Sequence, residues 1–151
     1  MNKKFSTLIL VLISILTACS SQVRGEAPQV AINLLRLDGN QLAVELRIRN
    51  INDVPLNITA MPYRIEFADQ VSINGGNSAS LTIGPRGTEI SQERITISET
   101  LSQLFAQLDN GEKPNLGYHL DGELQTDSNH RLQFEFRSRL FTVPGREREY
   151  R

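Results

Sequence analysis

Cysteine occurs once in this chain of 151 residues, at Cys19, and histidine only twice, at His119 and His130. A lone cysteine closes no disulfide within the chain and cannot build a thiolate zinc site. Two histidines, one in an alternating stretch and one in a turn, have no recognisable nucleophile or carboxylate partner, which argues against hydrolytic chemistry. A strong charge of either sign is missing as well. Without Lys3 and Lys4, 14 basic residues stand against 17 acidic ones, about −3, scattered along the chain with no basic patch for nucleic acid. Long apolar runs are absent except at residues 5–18, a stretch shorter than the roughly 20 residues a helix needs to cross a bilayer.

That run follows Lys3 and Lys4 and stops at small residues before Cys19, which is the layout of a secretory signal peptide over residues 1–18. Leu16, Thr17, Ala18 and Cys19 resemble the lipobox of bacterial lipoproteins. The resemblance implies that the Cys19 thiol receives a diacylglycerol, that the peptide is cut before it, and that the new amino group is usually acylated too. The alternative is a free cysteine closing an ordinary signal peptide. Two or three acyl chains hold a protein firmly where one holds it marginally, so the implied partner is membrane lipid through Cys19. The implied location is the cell envelope, at the periplasmic face of the outer membrane of a Gram-negative bacterium. Residues 19–28 then read as a lipidated tether, polar and aperiodic, reaching about 30 Å at roughly 3.3 Å per extended residue.

Beyond the tether the apolar period is two. Leu42, Val44, Leu46 and Ile48 alternate with Gln41, Glu45, Arg47 and Arg49, and Asp38, Gly39 and Asn40 link this strand to residues 30–36 as a hairpin. Tyr63, Ile65 and Phe67 form a strand whose start is marked by Pro62, and Val71 and Ile73 follow. Asn74, Gly75, Gly76 and Asn77 read as a turn, Leu81 and Ile83 as a strand closed by residues 84–87. The frame slips between Ile90 and Ile95, which predicts a bulge near Gln92. Leu101, Leu104, Phe105 and Leu108 have helical spacing, with Ser98 to cap the helix and Gly111 to end it over one open end of the fold. Leu116, Tyr118, Leu120 and Leu124 share a face, with a bulge or close approach at Gly122. Leu132, Phe134 and Phe136 make a further strand, Phe141 and Val143 a last short piece, and residues 146–151 a charged tail that frays. About eight short strands with one apolar face each must pack as layers. The expected fold is all-β, an antiparallel immunoglobulin or fibronectin type III-like β-sandwich over residues 29–145 with one short helix.

The stretch from Gln41 through Asn50, Ile51, Asn52, Asp53, Val54, Pro55 and Leu56 resembles the WHy domain, the water stress and hypersensitive response domain shared by late embryogenesis abundant proteins and bacterial lipoproteins. Gly117, Tyr118, His119, Leu120, Asp121 and Gly122 are similar to its Tyr-x-Leu-x-Gly strand. Ile51 departs from the pattern, since the family usually has proline between the two asparagines. The resemblance implies a sandwich without catalytic residues or cofactors, acting in desiccation or stress tolerance by protecting other macromolecules. A second reading stays open, an envelope adaptor or assembly lipoprotein that holds a protein partner.

Other candidates have simpler explanations. His119 and His130 could meet across an antiparallel pair as a weak metal site, or stand exposed and separate. Asp121 and Glu123 share a strand face that could take a divalent cation, yet acidic alternation is usually a solvated face. Arg47 with Arg49, and Arg137 with Arg139, each fall on one face, either as a solvated surface or as an anion-binding stripe. Asn57, Ile58 and Thr59 match a glycosylation sequon too short to carry weight. The glycines of residues 74–77 cannot cradle phosphate, since no Lys-Ser or Lys-Thr pair follows them. The anchor is the most direct point to test. Wild-type chain should take up radioactive fatty acid and Cys19→Ser should not, while an unlabelled wild type would end the lipoprotein reading.

Overall fold

The structure, a computed structural model, describes residues 25–77 and 80–151. The hairpin expected first is present, with β1 (Gln29–Asp38) and β2 (Gln41–Arg49) paired antiparallel from Gln29↔Arg49 to Asp38↔Gln41. The chain then crosses to the second layer for β3 (Leu56–Phe67), β4 (Val71–Asn77) and β5 (Leu81–Ile83), and returns for β6 (Thr88–Thr96). Helix α1 (Glu99–Asp109) bridges to β7 (Leu116–Thr126) and β8 (Arg131–Leu140), and β9 (Glu149–Tyr150) comes back to the first layer. The first sheet runs β6-β2-β1-β9, the second β4-β3-β7-β8, with β5 on the same side of β3 as β4. This is the antiparallel sandwich with one short helix that the alternation implies.

Leu42, Val44, Leu46 and Ile48 fill the inner face of β2, while Arg47 and Arg49 point out. Two neighbouring strands meet that face only by dropping a residue from their ladders. In β1 the register shifts at Asn33, so that Val30 and Ile32 point inward before it and Leu35 and Leu37 after it. In β3 the shift is at Thr59, with Leu56 and Ile58 inward before it and Met61, Tyr63, Ile65 and Phe67 after it. A bulge moves an apolar set by one position and so restores it to the core face.

Several expectations change. No bulge occurs near Gln92, because β6 pairs with β2 without a shift from Thr88 to Thr96. Ile90 instead points outward, 41% exposed, and the inward position belongs to Glu93, which takes a short hydrogen bond from the Tyr63 hydroxyl. Residues 74–77 are not a turn but the end of β4, paired with β3 from Tyr63↔Gly75 to Met61↔Asn77. A side chain at Gly75 would collide with Glu93 and Tyr63, so glycine here admits that cross-layer bond. The β3–β4 turn lies at Ala68 and Asp69, both with left-handed φ, and Gln70 N–H donates to the Phe67 carbonyl at 3.0 Å. Pro62 does not begin β3. It sits near the Thr59 bulge, where β3 passes from pairing with β5 to pairing with β4, a place that tolerates a missing N–H. At Gly122 the backbone does make the close approach expected, against Phe134 and the Pro62 carbonyl, with no bulge.

The tail does not fray. Tyr150 is fully buried, pairs with Leu35 in β1, stacks on Phe105 with ring centroids 4.6 Å apart and donates its hydroxyl to Asp109 at 2.8 Å. Glu149 takes Arg36 at 2.7 Å and Arg146 at 3.2 Å. Burial opposes its charge, but those arginines outweigh it and hold the carboxyl below its ordinary range. The sandwich therefore extends past residue 145. Helix α1 closes this end of the core as expected, capped by Ser98 Oγ accepting from Leu101 N–H at 3.3 Å, with Gly111 at φ +74° behind it. Phe105 meets Phe67 edge-on at 5.6 Å.

All three tyrosines of the chain, Tyr63, Tyr118 and Tyr150, have phenols raised above the ordinary value of 10.0, in each case first by burial. The neutral phenol is thus favoured by the fold, so this contribution is intact below about pH 10 and is lost as pH rises beyond it. Ultraviolet titration should show no phenolate until the protein unfolds in alkali. A tyrosine ionising near pH 10 in protein that is still folded would contradict this packing.

Candidate functional site

The segment that carries the family resemblance sits at the end of the sandwich opposite α1. Asn50 follows directly on β2 and has no exposure to solvent. Its Nδ2 donates to the carbonyls of Val54 at 2.7 Å, Gly84 at 3.1 Å and Ile83 at 3.4 Å. Its Oδ1 accepts from Asn52 N–H at 3.0 Å and Asn52 Nδ2 at 3.3 Å. One side chain thus satisfies carbonyls from two loops that would otherwise be buried unpaired. This Asx turn fixes the loop with Ile51 in the position usual for proline, so the departure from the family pattern costs the fold little.

Asn52 passes the constraint to the N-terminal segment. Its Oδ1 accepts from Glu26 N–H at 2.9 Å and its Nδ2 donates to the Glu26 carbonyl at 2.8 Å. Pro28 is buried too, so the last residues of the expected tether are docked on the sandwich rather than free. Asp53 and Arg86 pair across the two loops at 2.7 Å, and this arginine holds the Asp53 carboxyl below the ordinary range. Val54 at the tip is 62% exposed. The expected signal peptide, Cys19 and most of the expected tether lie outside the described residues. Among the described residues no helix is long and apolar enough to cross a membrane.

His119, Asp121 and Glu123 lie on the outer face of the second sheet, on β7. An open groove of about 870 Å³ runs over Pro62, Arg64, Asn74, Asp121, Glu123 and Glu135. His119 Nε2 is 2.8 Å from Glu135 Oε1, at ion-pair distance without a hydrogen bond. His130 is held in the β7–β8 turn, its Nδ1 3.2 Å from Ser128 Oγ. His119 stands opposite Arg137, seven residues back along β7 from Thr126, so roughly 23 Å separates the two histidines and they do not meet. Asp121 stands opposite Arg64 and Glu135, and Glu123 is paired with Arg131 at 3.6 Å. Among the described residues no three His, Cys, Asp or Glu side chains gather as metal ligands. The sequon residues serve the strand: Asn57 donates to Asp127 at 2.8 Å, and Thr59 to the Gln125 carbonyl at 3.2 Å. Arg47 and Arg49, and Arg137 and Arg139, are exposed on opposite outer faces. Charges of both signs cover the two faces.

Sequence reasoning missed the Tyr63–Glu93 bond and the docking of Glu26 by Asn52. A signal for the first exists, since Glu93 shares parity with Ile95 and Ile97 and so falls on the inner side of β6. Nothing local announces the second.

The strand order, the crossover after β2 and the closed ends define a fibronectin type III-like sandwich. The chain belongs to the late embryogenesis abundant protein family, whose model matches residues 45–140, from β2 through β8. No curated protein matches it in sequence. Among solved structures it is similar to a protein from Archaeoglobus fulgidus, at 15% identity over 78% of this chain and 98% of that one, with a TM-score of 0.47. It is also similar to a protein of Arabidopsis thaliana solved in solution, at 13% identity over 82% and 84%, TM-score 0.49. A candidate late embryogenesis abundant protein, also solved in solution, matches at 12% identity over 92% and 84%, TM-score 0.45.

Replacing Asn50 tests the hub. Asn50→Ala should cost roughly 2 to 4 kcal/mol by leaving buried carbonyls unpaired. Asn50→Asp keeps the shape and the accepting oxygen but turns an acceptor toward the Val54 and Gly84 carbonyls, and should cost more. Denaturant melts rank the two, and equal, small losses would show that the loops are held by something else.

Proposed function

We propose that the chain is a lipid-anchored envelope protein whose WHy-type sandwich protects other macromolecules during water loss. The match to the late embryogenesis abundant family across nearly the whole sandwich carries this reading. The surface is consistent with it. Both outer faces carry arginines and carboxylates, those of the second sheet partly in exposed ion pairs, and such groups can replace lost water contacts at a partner's surface. Contacts of this kind are individually weak and need no pocket.

The position of Glu26 fits an anchor at the preceding cysteine. The chain leaves the fold beside Asn52, so lipidation at Cys19 would put the Asn50 loops nearest the bilayer and α1 farthest from it. The protein then presents its two charged faces sideways to the envelope.

Drying or freezing a labile enzyme with the purified protein provides the test. The native chain should preserve more activity than an equal mass of albumin, and single changes of exposed arginines should matter little. Leu46→Ala removes a fully buried side chain and should destabilise by roughly 2 to 5 kcal/mol; once unfolded at the assay temperature it should protect less. If the native protein does no better than albumin while its deletion disrupts one specific envelope complex, the adaptor reading replaces this one.

A further inference from the structure

The sandwich leaves three strands of seven residues or more with one side unpaired among the described residues, β4, β6 and β8, and β4 is the shortest and ends in Gly75, Gly76 and Asn77, which hold a strand poorly. Proteins blunt such edges with prolines, bulges or charges turned inward. The β6 edge has one of these, because Glu93 points into the fold toward Tyr63 and the Gly76 N–H. Residues 29–34 of β1 are broken by the Asn33 bulge, and its next residues are covered by β9. β8 has no proline, bulge or inward charge, and its charges, Arg131, Glu135, Arg137 and Arg139, all stand on the outer side. It is ten residues long, holds neither proline nor glycine, keeps an unbroken register with β7, and places only Leu132, Phe134, Phe136, Ser138 and Leu140 on its inner side. Phe136 lies on that side yet is 40% exposed.

We propose that β8 pairs antiparallel with β8 of a second copy of this chain, about a two-fold axis at Phe136. Strand pairing needs inward residues opposite inward ones, which permits axes only at residues on the strand, and charge then chooses among them. With the axis at Phe136, Glu135 faces the copy's Arg137 twice over, Gln133 faces Arg139, Leu132 faces Leu140, and the two Phe136 rings meet. An axis at Glu135 sets that carboxylate against itself, one at Arg137 sets two guanidiniums together, and one at Phe134 puts Arg131 opposite Arg137. Within its own chain Glu135 lies opposite the like-charged Asp121 and already takes Arg137 at 3.3 Å, with His119 at 2.8 Å, so the pairing exchanges the Arg137 of the same chain for the copy's Arg137. Both side chains are exposed, Glu135 at 62% and Arg137 at 69%, so their pair within the chain is a weak one to exchange. The interface is isologous and small, so the dimer is weak and depends on concentration.

Sedimentation velocity on the whole chain in detergent, over a range of concentrations, reads the association directly. Glu135→Arg and Arg137→Glu should each weaken it roughly tenfold or more, since each brings like charges together at two symmetric places. The double variant Glu135→Arg with Arg137→Glu restores opposite pairs and should associate like the parent. An equimolar mixture of the two single variants should associate as well, because one copy then offers two cations to the other's two anions. Melting curves confirm that the variants remain folded, since both positions are on the surface. A parent that stays monomeric at about 1 mM, or variants that all associate equally, would overturn the pairing. Neither result bears on the protection assay, which stands or falls separately.

Discussion

The two sheets hold together only while the inward faces of β2 and β3 remain apolar along their whole length, and β3 does so because Thr59 drops out of its ladder. β3 is the centre of its sheet, pairing with β4 and β5 on one side and β7 on the other. Without the shift, Met61, Tyr63, Ile65 and Phe67 would face solvent and Pro62 and Arg64 the core. Asn33 performs the same correction in β1, opposite β2. Each bulge costs a local ladder bond, a loss of about 1 kcal/mol, against several side chains worth roughly 1.5 to 3 kcal/mol apiece when buried. The balance favours the bulge by a wide margin.

With the faces in phase, the ends decide how much of the sandwich is closed. One end is closed by a helix and a buried tail: Phe67, Phe105 and Tyr150 form an aromatic cluster that Asp109 and the Glu149 ion pairs hold in place. The other end is closed by polar bonds centred on Asn50, which joins β2 to the β5–β6 loop and, through Asn52, to the incoming chain. An apolar plug and a polar clasp solve the same problem. Each closes one open end of the core with groups that satisfy one another.

How much of this was legible depends on whether a residue's role is set by its own polarity or by a distant partner. β2 and α1 were readable because Leu42 to Ile48 and Leu101 to Leu108 follow one period and one face. Pro62, the glycines of β4 and Glu93 misled for one shared reason. Each is a poor strand residue alone and fits only because a neighbour accommodates it: the Thr59 bulge beside Pro62, and the Tyr63 hydroxyl over Gly75 against Glu93. The tail misled likewise, since one tyrosine among six mostly charged residues gives no periodicity, yet Tyr150 finds a slot made by β1 and α1. At the site, Asn50 and Asn52 were readable as turn formers, but the burial of Asn50 depends on carbonyls more than thirty residues away. The separation of His119 and His130 follows from the β7–β8 register, which no local pattern specifies.

On the proposed protective reading, the unpaired strand edges set a conflict. The contacts that shield a drying client are weak and unspecific, whereas a bare ladder of N–H and C=O groups invites strong pairing with any unfolded chain. As water is lost, both the concentration and the population of unfolded clients rise, so an unguarded edge would seed the aggregation that the charged faces oppose. Inward Glu93 guards β6 at all times. At β8 the guard would be a second copy, present only as concentration climbs, so that the edge is covered under the conditions in which exposing it does most harm. The outer faces, perpendicular to that edge, stay available in either state.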